Sequence, residues 1–211
     1  DIGSRDAIAE RAFRMRWRLR GADSVVLHAL LGDTVPDSRS ILGTIADLEQ
    51  AVAVVPDRVE LWFELGDRQL HFGVLQDYPD ALARAKRSLE RALALDSSYG
   101  IAVDHLLLLA LHERDSVAAA RLAPLFRRTG SRGDAEGAFD WVLAELLNDS
   151  AAMREVRARI PSMPAASLFW LSGLPQLETG GIDVSAMAVA QIERNASTVG
   201  EARRAANSAR A

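Results

Sequence analysis

Residues 62–97 read WFELGDRQLHFGVLQDYPDALARAKRSLERALALDS and contain the clearest structural pattern in the chain. In the second half of this stretch, apolar residues recur at spacings of three and four, with arginines on the opposite side of the helical wheel. The apolar positions are Leu82, Ala85, Leu89, Ala92 and Leu93, and the arginines are Arg84, Arg87 and Arg91. This spacing predicts an amphipathic helix that buries its apolar side against a neighbour.

The first half of the stretch predicts a preceding helix that forms a hairpin with this one. Trp62 is followed by Leu65 and Gly66. Two helices can approach closely only where one side chain is small, because protein interiors are close-packed. We therefore expect Gly66 and Ala85 to face each other across the hairpin, with Trp62 and Leu89 filling the gaps beside them.

The pattern recurs along the chain with a period of about 34 residues. The LGD triplet at 65–67 has an earlier counterpart at 31–33. Ala51 and Pro56 repeat the small residue and the terminating residue that end the second helix, and a third copy begins near Val103. A fixed period of this length indicates stacked copies of one structural unit.

These positions resemble the tetratricopeptide repeat family. The matching residues are Trp62, Leu65 and Gly66 in the first helix and Ala85, Leu89, Ala92 and Ser97 in the second. The resemblance implies an all-α fold, a superhelical stack of antiparallel helix hairpins with about twelve helices. It implies one solenoid domain over residues 1–211, with the clearest repeats at 25–56, 59–97 and 100–130 and degenerate helical repeats at 131–211.

The stretch departs from the family pattern in two places. The interval from Trp62 to Ala85 is about seven residues longer than in the family pattern. We therefore expect the additional residues in a loop around residues 76–80. Gln69 stands where the family usually has tyrosine.

Turn and capping residues set the other expected boundaries. Gly21 predicts the end of a first helix over residues 5–20, and Asp37 or Ser38 predicts the start of the third. Further expected elements are a fourth helix over 56–72, loops at 73–77 and 129–133, and two terminal helices at 184–196 and 198–210.

Composition excludes several classes of function. The 211 residues are 49% hydrophobic and 26% charged, as in ordinary globular proteins, and the net charge of −4 predicts no strong attraction to nucleic acid. The chain has no cysteine, which excludes disulfides, thiolate catalysis and cysteine-bound zinc. Lys86 is the only lysine among 25 basic residues, which we attribute to a GC-rich bacterial genome.

The ends of the chain give no targeting signal. The longest uncharged run, residues 160–177, contains three prolines and is a poor membrane span. Residue 1 is aspartate rather than an initiator methionine, so we expect a piece of a longer protein. We expect a cytoplasmic location, or an extracytoplasmic one if an upstream membrane anchor precedes this piece.

The sequence offers few residues for catalysis or metal binding. His105 and His112 are seven residues apart on one helical face, and Asp67 precedes His71 by four residues, a ligand spacing. No HExxH, G-x-S-x-G or kinase motif accompanies them. We therefore expect no metal, no cofactor and no enzymatic activity. We assign three aromatic residues to core packing: Trp141, Phe169 and Trp170.

The concave face is the expected binding surface, because first helices of successive tetratricopeptide repeats line a groove. We call the following set the groove residues: Glu60, Phe63, Asp67, Leu70 and His71 in one repeat, and Ile101, Asp104, Leu108 and His112 in the next. The mixture of acidic, histidine and apolar side chains suits an extended peptide or helix with basic and apolar side chains. The predicted function is a protein-interaction or scaffold module.

A second function stays open. Residues 60–73, ELWFELGDRQLHFG, and 91–100, RALALDSSYG, are similar to helical-repeat regions fused to bacterial serine/threonine kinases and transcriptional regulators. This resemblance implies a sensory or regulatory region that binds a small ligand and controls the fused domain.

Overall fold

The computed structural model describes residues 2–32, 39–129 and 133–208. Over these ranges the chain forms eleven α-helices and no β-strand, which confirms the all-α prediction. The helices are α1 (Ile2–Arg14), α2 (Ala22–Leu31), α3 (Ile41–Val54), α4 (Val59–Arg68), α5 (Ala81–Leu95), α6 (Gly100–His112), α7 (Ser116–Thr129), α8 (Glu136–Leu146), α9 (Ser150–Arg159), α10 (Ala165–Glu178) and α11 (Ile182–Ser208). None of them has the length and apolarity needed to cross a bilayer.

The chain falls into two compact units, Asp1–Leu109 and Ala110–Ala211. One hydrophobic core cluster of the first unit lies among α2, α3 and α4, and its buried members are Ala29, Ile45, Leu48, Ala51, Val52, Val55, Leu61 and Leu65. Trp62 is only half-buried at the edge of this core, and its indole N–H donates to the carbonyl of Pro56 at 2.9 Å. The expectation of one solenoid domain stays a prediction.

Two predicted boundaries near the start of the chain need correction. The first helix ends at Arg14 rather than residue 20, and a short 3₁₀ turn follows at Arg16–Arg18. The third helix begins after Ser40, whose side chain accepts a hydrogen bond from the Gly43 N–H at 3.0 Å. The expected caps at 37 and 38 lie outside the described residues.

Towards the end of the chain, the two expected terminal helices are one helix, α11. Neither glycine nor proline interrupts residues 196–198, so nothing in the backbone separates the two predicted segments. The expected loop at 129–133 falls mostly outside the described residues.

The predicted hairpin is formed by α4 and α5, with a corrected register. A Cβ atom added to Gly66 would lie 2.7 Å from Cγ of Leu89, so Leu89 rather than Ala85 is the close neighbour of the glycine. Gly66 lies eleven residues before Asp77 and Leu89 lies nine after Asp80, which gives arms of similar length on both sides of the turn. Ala85 is fully buried in the same helix.

The expected loop between these helices is largely helical. A π turn at Gln69–Gly73 and a 3₁₀ turn at Val74–Gln76 extend α4. The extension ends at Asp77, whose φ of 50° is left-handed, and the Tyr78 N–H donates to the Gly73 carbonyl at 2.9 Å. The additional residues therefore lengthen the first arm of the hairpin.

Two helix turns in the second unit have the same geometry. Arg114 and Asn148 both have positive φ, 53° and 54°, and they stand one repeat period apart. Asp115 follows the first and Asp149 the second, and each carboxylate accepts a hydrogen bond from a backbone N–H of the next helix. The repeat spacing thus recurs beyond residue 113, where the sequence pattern is degenerate.

Side-chain contacts also follow this spacing. Within the described residues, five hydrogen-bonded pairs join residues 34 or 35 positions apart: Asp23–Arg58, Glu49–Arg84, Pro56–Arg91, His71–His105 and Glu145–Thr179. The same separation therefore recurs in contacts of both compact units.

The assignment of three aromatic residues to core packing is correct for one of them. Trp141 is 2% exposed, whereas Phe169 is 68% and Trp170 46% exposed. Leu168 and Leu171 are the buried residues at this point of α10, so the adjacent aromatic pair lies on the solvent side.

Replacing Gly66 by alanine tests the close approach of α4 and α5. We expect Gly66→Ala to lower the free energy of unfolding by about 1–3 kcal/mol, because the new methyl group overlaps Leu89. The matched control is Gly173→Ala in α10, where a Cβ meets nothing within 4 Å. That variant should gain about 0.5–1 kcal/mol from helix propensity. Urea unfolding monitored by circular dichroism measures both effects. Equal unfolding midpoints for the two variants would contradict the register.

Candidate functional site

Three polar side chains of the first unit converge at one point. His105 Nε2 lies 3.1 Å from Asp67 Oδ1, His71 Nε2 lies 3.3 Å from His105 Nε2, and His71 Nε2 lies 3.5 Å from Asp67 Oδ1. We call Asp67, His71 and His105 the Asp–His–His cluster. Among the described residues, these side chains form the group of histidine and carboxylate atoms close enough to share a metal ion.

The cluster is assembled from two helices and the turn that extends one of them. Asp67 lies in the last turn of α4, and His71 lies in the π turn that follows. His105 comes from the middle of α6, where its Nδ1 lies 2.8 Å from the Ile101 carbonyl oxygen. The ring of Phe63 contacts His105 edge-on, with centroids 5.3 Å apart. The position of the His105 ring is therefore fixed from both sides.

The two histidines differ electrostatically. Burial lowers the pKa of His105, but the hydrogen bonds to Asp67 and to the Ile101 carbonyl outweigh it and raise that pKa above its ordinary value. Burial lowers the pKa of His71, and Asp67 only partly opposes this effect. The cluster therefore holds a proton on His105 more readily than on His71.

Asp67 is charged in this setting. Burial raises the pKa of its carboxyl group, but the hydrogen bond from His105 and the positive charges nearby hold the pKa below the ordinary value. Arg68 supplies one of these charges at 3.3 Å and also contacts Glu64 at 3.4 Å. Burial raises the pKa of Glu64, with Arg68 opposing it.

Four of the groove residues contact His105: Phe63, Asp67, His71 and Ile101. The other groove residues are dispersed. Glu60 pairs with Arg58 at 3.6 Å, Leu70 and Leu108 are half-buried, and His112 lies 3.6 Å from Glu178. His112 is therefore not part of the cluster.

Two groove residues offer no surface to a partner. Phe63 is 7% and Asp104 8% exposed, so both side chains belong to the interior. Ile101 and His71 are the exposed members beside them.

His105 is the member of the site that the sequence interpretation left out of the groove. The 34-residue separation of His71 and His105 was an available signal, but the groove register relates residues 41 apart because of the additional residues in the hairpin, and it therefore matched His71 with His112. The groove register instead placed residues 104 and 108 on the binding face.

The second unit has a cleft of its own, between α8 and α9. Its volume is about 600 Å³, and its lining includes Asp140 and Arg159, which form an ion pair at 2.8 Å. This pairing gives each of the two charges a partner within the protein.

Compared with protein-family models, with curated proteins and with solved structures, the chain matches none.

A double-mutant cycle measures the contact that joins α4 to α6. We expect the Asp67→Ala and His105→Ala pair to show a coupling of about 1–2 kcal/mol, because both partners are largely shielded from water. The control cycle uses Glu10 and Arg14, an exposed pair at 3.5 Å. Its coupling should stay below about 0.5 kcal/mol. Urea unfolding of all variants provides the energies, and equal coupling in both cycles would show that the Asp67–His105 contact is not formed in solution.

Proposed function

We propose that the chain is a tetratricopeptide-type helical repeat that acts as a protein-interaction module and binds a peptide or a partner helix on the face formed by α4 and α6. The carrying observation is the contact of His105 in α6 with Asp67 in α4 and with His71 in the turn that extends α4. First helices that lie side by side in this way form a continuous surface in stacked repeats.

Repetition along the chain supports the architectural part of the proposal. Hydrogen-bonded pairs separated by one repeat period occur within both compact units. The matching turns at Arg114 and Asn148 add a backbone feature with the same spacing. Successive copies would therefore contact one another through residues at matching separations. This is expected if short helices gain their stability from stacking on their neighbours.

The chemistry of the surface indicates what kind of partner would bind. Glu60, Glu64 and Asp67 follow one another along α4 at spacings of four and three, so their carboxylates lie on one side of the helix. Ile101 is exposed on α6 nearby in the same unit. A partner segment with basic and apolar side chains complements this combination of charge and apolar area. The proposal assigns the chain no catalytic activity.

Selection from a random displayed peptide library tests the proposal directly. We expect the selected peptides to be enriched in arginine, lysine and large apolar residues. Fluorescence anisotropy with one selected peptide then compares Glu60→Gln/Glu64→Gln with Glu90→Gln/Glu193→Gln, which changes the net charge equally at exposed positions of α5 and α11. The first pair should weaken binding about tenfold, equivalent to about 1.4 kcal/mol, and reduce its salt dependence.

Either of two results would contradict the proposal. One is the recovery of acidic peptides or of no binding peptides at all. The other is an equal loss of affinity in both double variants, which would mean that only net charge matters.

A further inference from the structure

We propose that Asp67, His71 and His105 bind one divalent transition-metal ion of the zinc class. The three facing atoms, Oδ1 of Asp67 and Nε2 of each histidine, form a triangle with edges of 3.1, 3.3 and 3.5 Å. Ligands at about 2.0–2.1 Å from a tetrahedral ion lie about 3.3–3.4 Å from one another. The triangle therefore has the size of one face of such a coordination shell.

The orientation of His105 suits a metal ligand. Its Nδ1 lies 2.8 Å from the Ile101 carbonyl oxygen, an acceptor, so the proton of the neutral ring belongs on Nδ1. Without an ion, His105 Nε2 carries the proton that it donates to Asp67; when an ion displaces that proton, the Nε2 lone pair is directed toward Asp67 and His71. Histidines that bind metals commonly donate their other N–H to a carbonyl or carboxylate, which fixes the ring and the tautomer.

The contact between the two imidazole Nε2 atoms points the same way. At 3.3 Å, one of the two nitrogens must carry a proton when no ion is bound, since two lone pairs repel each other. An ion placed between them and Asp67 would accept both lone pairs. Two histidines and one carboxylate on one face are a common ligand set for zinc and for non-haem iron.

The three ligands are partly shielded from water. The side chains of Asp67 and His105 are 19% and 17% exposed, whereas that of His71 is 44% exposed. The ion would therefore be held from the α4 and α6 side and open to water beside His71. Such an arrangement, with three protein ligands and a free position, is typical of accessible rather than closed structural zinc sites.

The surrounding charges favour moderate affinity. Arg68 lies 3.3 Å from the Asp67 carboxylate and opposes a cation, while Glu64 lies 3.4 Å from Arg68 and offsets part of that charge. Imidazole ligands select zinc, cobalt, nickel or copper over magnesium, which prefers oxygen ligands in an octahedral shell. The inference is independent of the proposed peptide-binding function.

The experiment uses the full chain without a polyhistidine tag, stripped with EDTA and exchanged into a non-coordinating buffer. Calorimetric titration with zinc chloride should show one ion bound per chain, and cobalt should give the visible absorption of a low-coordinate complex with imidazole ligands. Magnesium should give neither binding heat nor thermal stabilisation, whereas zinc should raise the melting temperature.

His71→Gln is the decisive variant, because an exposed side chain can be replaced without disturbing the fold. We expect it to lower zinc affinity about tenfold or more, with the melting temperature in EDTA unchanged. Asp67→Asn should lower zinc affinity to a similar extent, because it removes the carboxylate ligand. His112→Gln is the matched control, since His112 lies on the same helix as His105 but contacts Glu178, and it should bind zinc as the unaltered chain does.

Three results would overturn the inference: no saturable zinc uptake by the unaltered chain, equal affinity in His71→Gln, or loss of binding in His112→Gln alone. Peptide binding measured in EDTA distinguishes failure of the metal site from failure of the proposed peptide-binding function. If zinc binding fails and peptide binding persists, only the metal site is refuted.

Discussion

The close approach of α4 to α5 constrains the rest of the first unit. Gly66 leaves room for Leu89, and Gly73 leaves room for Ala81, where an added Cβ would lie only 2.7 Å away. Between these two points Gln69 accepts a hydrogen bond from the buried Ser88 hydroxyl at 2.9 Å. A shift of one helix along the other would make side chains overlap and would leave the buried Gln69 amide without its hydrogen-bond partner. Both the overlap and the lost hydrogen bond would lower the free energy of unfolding. The hairpin therefore has one register.

This register determines what α4 can present to α6. The first arm stays helical to Gln76, so the turn is displaced and His71 lies on a helical surface rather than in a loop. The π turn that begins at Gln69 changes the directions in which the side chains after Arg68 leave the helix. Such turns occur often at functional sites. His71 consequently meets Asp67 and the imidazole of His105 at the same point.

Much of this arrangement was predictable from the sequence, and the reasons for the failures are physical. The helical spacing of apolar residues and the small residue at Gly66 correctly indicate that α4 and α5 are paired. Gly73 was interpreted as a loop residue because glycine commonly breaks helices, yet its actual role is to admit Ala81. Burial of Phe63 and Asp104 could not be predicted from the helical wheel of α4 or α6 alone, because it depends on which faces the two helices turn toward each other. Contact between two helices is a tertiary property that the residue pattern of one helix does not carry.

The Asp–His–His cluster is not needed to hold the hairpin together. Gly66, Leu89 and the apolar core of α2, α3 and α4 already specify the packing. Replacing a partly buried polar group of this kind by apolar side chains is often neutral or stabilising, because desolvation offsets much of the Coulomb attraction. A carboxylate, two imidazoles and an arginine at one place thus join α4 and α6 at a considerable cost in desolvation free energy. A local departure of this kind in an otherwise consistent fold supports the binding roles proposed for this surface.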